Sequence, residues 1–141
     1  MINLNNIFGH FSSDEDPDNN VGVFYDFTQT PFYWVGMYKK LIINHKHFNK
    51  ILAKSLGKTN NFTKDMGAVE EASERIIYAK AWEYIKNIDT TNPTHLSAIE
   101  KYSNEYLDVA LELGLSFFEE VEEYEKCVLL KEILDKVKEF A

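Results

Sequence analysis

Between Tyr102 and Ala141 apolar side chains recur at helical spacing twice over, and this pattern limits the fold more than any other feature of the chain. Tyr106, Ala110, Leu113 and Phe117 step by four, three and four, with Leu107, Leu111 and Phe118 widening the stripe. Tyr124, Cys127, Leu130, Leu134 and Val137 do the same in the second half. Side chains at such steps share one face of a helix turning about 100° per residue, so each half is predicted to own a stripe that needs cover. Two striped helices on about 40 residues make a hairpin, too short to bury both stripes alone. It must dock on the rest of the chain or on a partner.

The preceding sequence supplies something to dock on. Thr30-Pro31 pairs an N-cap residue with proline at the first helical position, opening a helix striped by Tyr38, Leu41, His45, Phe48 and Leu52 that ends near Gly57. A second helix is predicted from about Asp65 to Ile88, with Asp65, Glu70 and Glu71 near its positive end. Its stripe of Ala72, Ile76, Ala79 and Trp82, flanked by Tyr78, Ala81, Ile85 and Ile88, is broad enough for a central helix with neighbours on several sides. Asn92-Pro93 repeats the cap-then-proline start, and the third helix continues through Leu96, Ile99, Tyr102 and Tyr106. Two endings are open for it. Gly114 can stop it, leaving Leu115 to Phe140 as one long helix, or it crosses Gly114 and turns near Glu122. Tyr124 favours the second ending, as an apolar residue at a helix start staples the turn.

Residues 1–30 show neither a helical stripe nor strand alternation, and Ser12 to Asn20 has the composition of a linker. The expectation is an all-α protein: an irregular acidic arm over 1–30, then a four-helix, bundle-like domain over 31–141 with a C-terminal helical hairpin.

The run Glu122-Glu123-Tyr124-Glu125-Lys126-Cys127-Val128-Leu129-Leu130-Lys131-Glu132-Ile133-Leu134 resembles the second half of the UVR motif. That motif is the short helical hairpin of the UvrB and UvrC repair proteins and of some Clp-protease adaptors. Tyr124 falls where the motif has an aromatic, Cys127 and Val128 on its small pair, Leu130-Lys131-Glu132 on its Leu-Arg-Asp, and Leu134 on its Ile. Val128 is bulkier than the family's alanine, Leu129 is apolar where the family is polar, and the preceding helix carries Gly114. The resemblance covers about residues 106–138. It implies protein contact, as in an adaptor, rather than catalysis.

Charge is segmented along the chain. The net charge is −8, yet residues 1–30 hold five acids and no base, residues 31–99 ten bases against six acids, and residues 100–141 twelve acids against five bases. The acidic turn, Glu122, Glu123 and Glu125 with Tyr124, and the apolar arm residues Ile7, Phe8 and Phe11 are the candidate protein-binding residues. The exposed aromatics also suit self-association. Lys39, Lys46, Lys50 and Lys54 share one face of the first helix, and with Tyr33 and Trp34 they form an alternative, single-stranded nucleic-acid surface. Against this, Arg75 is the sole arginine and the overall charge repels nucleic acid; pairing of the lysine face with Glu119, Glu120, Glu122, Glu123 and Glu125, within the molecule or between copies, is the simpler expectation. A second alternative is an acidic inhibitor that mimics DNA.

Catalytic patterns are missing. There is no nucleophile elbow and no phosphate-binding glycine loop, and His45 and His47, two residues apart on a helix, do not grip one metal. Asp14, Asp16 and Asp18 resemble the first half of a calcium loop, but Tyr25 stands where the bidentate glutamate belongs. No catalytic, cofactor or metal residue is assigned, and a non-enzymatic interaction protein without cofactor is expected. The lone Cys127 excludes an internal disulfide, and with no signal-peptide pattern or long apolar run the expected setting is the cytoplasm, off the membrane.

Overall fold

The computed structural model describes residues 26–56 and 63–141, and among these it contains five α-helices and no strand. The helices are α1 (Pro31–Leu56), α2 (Thr63–Ile85), α3 (Pro93–Tyr102), α4 (Leu107–Glu120) and α5 (Tyr124–Phe140). Most of the arm, with Ile7, Phe8, Phe11 and the three alternating aspartates, lies outside the described residues. Its last part is not irregular: Phe27–Gln29 form a 3-10 turn capped by Asp26, and the Trp34 indole N–H donates to the Thr28 carbonyl at 3.1 Å. Thr30 then caps α1, its Oγ1 accepting from the Tyr33 N–H and donating to the Phe27 carbonyl.

The central helix is α1, against the expectation that α2 would be. It packs on α2, α3 and α4, while α5 closes on α4 and touches α3. Val35, Tyr38 and Ile42 point into the shared core, whereas Phe48, placed on the predicted stripe, is largely exposed. On α2 the predicted roles are exchanged in part: Trp82 of the expected stripe does pack on the core, edge-on to Phe118, but the rest of that stripe does not. Tyr78, Ala81 and Ile85 are buried together with Ile88, and Ala72, Ile76 and Ala79 face outward, Ile76 being 68% exposed. Both sets have helical spacing, and the aromatic side won because Tyr78 stacks on Phe117 at 4.4 Å and meets Phe118 edge-on.

The third predicted helix is two. Ser103 Oγ donates to the Glu100 carbonyl at 2.7 Å, and Tyr106 takes a left-handed conformation, φ 68°, which breaks the chain direction between α3 and α4. The start of α3 is pinned as the sequence implies. Asn92 accepts from the Thr94 N–H, and His95 Nδ1 accepts from the Asp89 N–H at 2.8 Å. Two hydrogen bonds from Thr91 also hold the Asp89 carboxyl below its ordinary range.

Helix α4 runs through Gly114 and ends at the turn near Glu122. The Glu123 N–H reaches the Phe118 carbonyl and the Glu122 N–H the Glu119 carbonyl, with Glu122 left-handed at φ 63°; this is a Schellman ending with glutamate in the usual glycine place. Gly114 has a different purpose. It is buried where the Tyr38 ring crosses α4, and the Tyr38 hydroxyl donates to the Ala110 carbonyl at 2.8 Å. A Cβ on Gly114 would fall inside the van der Waals radius of that hydroxyl. Tyr124 does not staple the turn, being 61% exposed.

Burial pushes the Tyr78 hydroxyl up to about 12 and the Tyr38 hydroxyl well above the ordinary tyrosine value. Both are neutral in the fold, whereas in the unfolded chain they ionise from about pH 10. Their contribution to stability is therefore fully present below pH 10 and is lost as pH rises toward the folded-state values. Denaturation midpoints should drop above pH 10, with two of the tyrosines ionising only as the fold is lost. Retention of the full midpoint while all tyrosines ionise would contradict this packing.

Candidate protein-docking groove

Helix α2 and the end of α4 meet through the rings of Tyr78, Trp82, Phe117 and Phe118, and beside those rings a furrow remains open. It consists of two adjoining depressions of about 340 and 230 Å³ that share Arg75, Phe117 and Val121. The floor is apolar: Phe117, half-buried on Tyr78, with Ala79 on one wall and Val121 on the other. An apolar strip continues outward over α2 through Ala72, Ile76 and Val69, all exposed.

The rim is acidic. Glu71 and Glu74 stand on the α2 side, Glu120 and Glu123 on the side of the α4–α5 turn. The two cations in the furrow are engaged: Arg75 pairs with Glu71 at 3.3 Å, and Lys126 with Glu123 at 2.9 Å. Lys126 also lies over the rings of Trp82 and Phe118. Glu74 and Glu120 have no ion-pair partner among the described residues, and Glu119, Glu122 and Glu125 add charge just beyond them. A furrow with a greasy floor and surplus carboxylates on both banks suits a helix with an apolar stripe and basic flanks.

Of the protein-binding residues predicted from sequence, Glu123 lines the furrow, while Glu122, Tyr124 and Glu125 are exposed on the turn without lining it. Ile7, Phe8 and Phe11 lie outside the described residues. The sequence places Phe117 and Ala79 on stripes expected to be buried and Glu120 among the expected partners of the lysine face, and it does not single out Val121 or Glu74. The adjacent Phe117-Phe118 pair was the available signal, because two neighbouring aromatics about 100° apart on a helix put one of them at the edge of the buried arc.

The lysine face is dispersed. Lys39 pairs with Glu105 at 3.3 Å and lies over the Tyr102 ring, whereas Lys46, Lys50 and Lys54 are exposed farther along α1. Among the described residues no ion pair joins these lysines to the acidic turn, so of the two expected pairings the one within the molecule is absent. Tyr33 packs edge-on against Phe27 and Tyr84, and Trp34 against His95, and both rings are half-buried.

Cys127 is half-buried, its Sγ donating to the Leu115 carbonyl at 3.8 Å, and burial followed by Glu119 pushes its thiol up. That is the reverse of what a nucleophile needs. His45 is half-buried and bonded to Asn49 at 3.1 Å. Among the described residues no three His, Cys, Asp or Glu side chains gather where they could hold a metal, and no helix is long and apolar enough to cross a membrane. No family model, curated protein or solved structure matches the chain.

Proposed function

We propose that the chain is a non-enzymatic, cytoplasmic accessory protein that holds a basic amphipathic helix of another protein in the furrow between α2 and the α4–α5 turn. The observation that carries this reading is the apolar floor of Phe117, Ala79 and Val121 beneath a rim whose acids outnumber its cations, both of which are already paired. The resemblance of residues 106–138 to the UVR hairpin supports it, since that resemblance implies protein contact. A nucleic-acid surface has less support, because Lys39 is taken by Glu105 and the net charge of −8 repels nucleic acid.

The test is a titration by fluorescence anisotropy. The probe is a labelled helical peptide with leucines at i, i+3, i+4 and i+7 and Lys or Arg elsewhere, added to the full chain. Saturable binding is expected, several-fold weaker at high salt. The combined substitution Glu74→Lys, Glu120→Lys should weaken it at least tenfold. Equal binding of a peptide with glutamates in place of the basic residues, or unchanged binding by the variant, would overturn the proposal.

A further inference from the structure

At the corner where α3 turns into α4, against α1, lies a cavity of about 470 Å³, larger than either depression of the furrow. Its walls are aromatic and aliphatic: Phe27, Phe32, Met37, Ile43, Tyr102 and Tyr106. Gly36 makes it possible, because a side chain there would collide with the Tyr102 hydroxyl and force the ring away from α1. The cavity's charge is opposite to that of the furrow. Lys39 and Lys40 line it, and Lys101 lies over the Phe32 and Tyr102 rings. The one acid in its wall, Glu105, is taken by Lys39. Phe27 and Tyr106, 57% and 71% exposed, leave apolar surface uncovered at its mouth.

The described chain begins at this mouth, since Phe27 is part of the wall and Asp26 directly precedes it. The twenty-five residues before Asp26 hold four acids, Asp14, Glu15, Asp16 and Asp18, and no lysine or arginine. They also hold Ile7, Phe8 and Phe11. We propose that this segment of the same chain is the occupant of the cavity, its apolar residues on the aromatic walls and its carboxylates against Lys39, Lys40 and Lys101. Eight to twelve residues separate the acids from Asp26, a reach of up to roughly 26–43 Å, so the tether permits the contact. Tethering also gives the segment an effective concentration of the order of millimolar, so weak contacts suffice. The proposal is independent of the furrow and stands or falls without it.

Zero-length carbodiimide coupling of the full chain, read by mass spectrometry, tests it. A mixture of natural-abundance and heavy-isotope-labelled protein separates links within one chain from links between chains. Links within one chain from Asp14, Glu15, Asp16 or Asp18 to Lys39, Lys40 or Lys101 should exceed those to Lys46, Lys50 and Lys54 several-fold. Phe8→Ser with Phe11→Ser should bring them down to the level of the outlying lysines. Links spread evenly over exposed lysines, an absence of links, or links chiefly between chains would overturn the proposal, the last of these assigning the cavity to a second copy.

Discussion

Replacing Gly114 with alanine is expected to destabilise the protein by about 3 kcal/mol, although alanine is the better helix former by about 1 kcal/mol. The new methyl would strike the Tyr38 hydroxyl and approach Leu130 Cδ1 to 3.1 Å. Tyr38 cannot yield, being fully buried and bonded to the Ala110 carbonyl. Tyr38→Phe alone removes that bond and should cost about 1 kcal/mol. Combined with Gly114→Ala it also removes the clashing oxygen, leaving the ring carbon at 3.4 Å, an ordinary contact. The double variant should therefore be more stable than Gly114→Ala by about 2 kcal/mol, a coupling that only residues in contact show. Chemical denaturation of the four proteins measures it, and simple additivity of the two single effects would mean that α1 and α4 do not cross there.

Phe118→Ala is expected to cost about 3–5 kcal/mol, a large share of the total for a chain of this size. Phe118 is 1% exposed and is the ring through which α2, α4 and α5 meet: Tyr78, Trp82 and Phe117 pack edge-on around it, and Lys126 lies over it. No other side chain is placed to refill that space, so the cavity term adds to the lost burial. Its neighbour separates stability from docking. Phe117 is half-exposed, and Phe117→Ala should cost about 1 kcal/mol while removing the furrow floor and the peptide binding with it. Denaturation midpoints that rank the two substitutions in the opposite order would sink this division of labour.

Much of the architecture could be read before any coordinates, because steps of three and four specify helices whatever surrounds them. The proline-marked starts of α1 and α3 and the turn near Glu122 belong to that legible part. Periodicity is blind to which of two apolar arcs on one helix faces inward. On α2 that choice was made by the fit of Tyr78 against Phe117 and Phe118, rings distant in sequence. The break between α3 and α4 escaped for another reason. Left-handed residues usually announce themselves as glycine or asparagine, and at this break a tyrosine, Tyr106, takes that place. Gly114, where one of the two open endings put a stop, is glycine for the sake of a tyrosine on another helix.

The candidate site was half legible for the same physical reason. Its charge is local in sequence, so the acidic turn and Glu123 stood out. Its floor is made by Phe117 and Ala79, which become neighbours only when α2 lies beside α4. The cavity at the α3–α4 corner likewise depends on Tyr102 meeting Gly36 across the fold.

Amide chemical-shift mapping of the full chain, titrated with the basic amphipathic peptide, tests most directly that the furrow is a docking site. The largest shifts should fall on Ala79, Phe117, Val121 and the α4–α5 turn, with Lys46, Lys50 and Lys54 unmoved. Shifts concentrated on the α1 lysines or at the aromatic cavity, or none at saturating peptide, would contradict it.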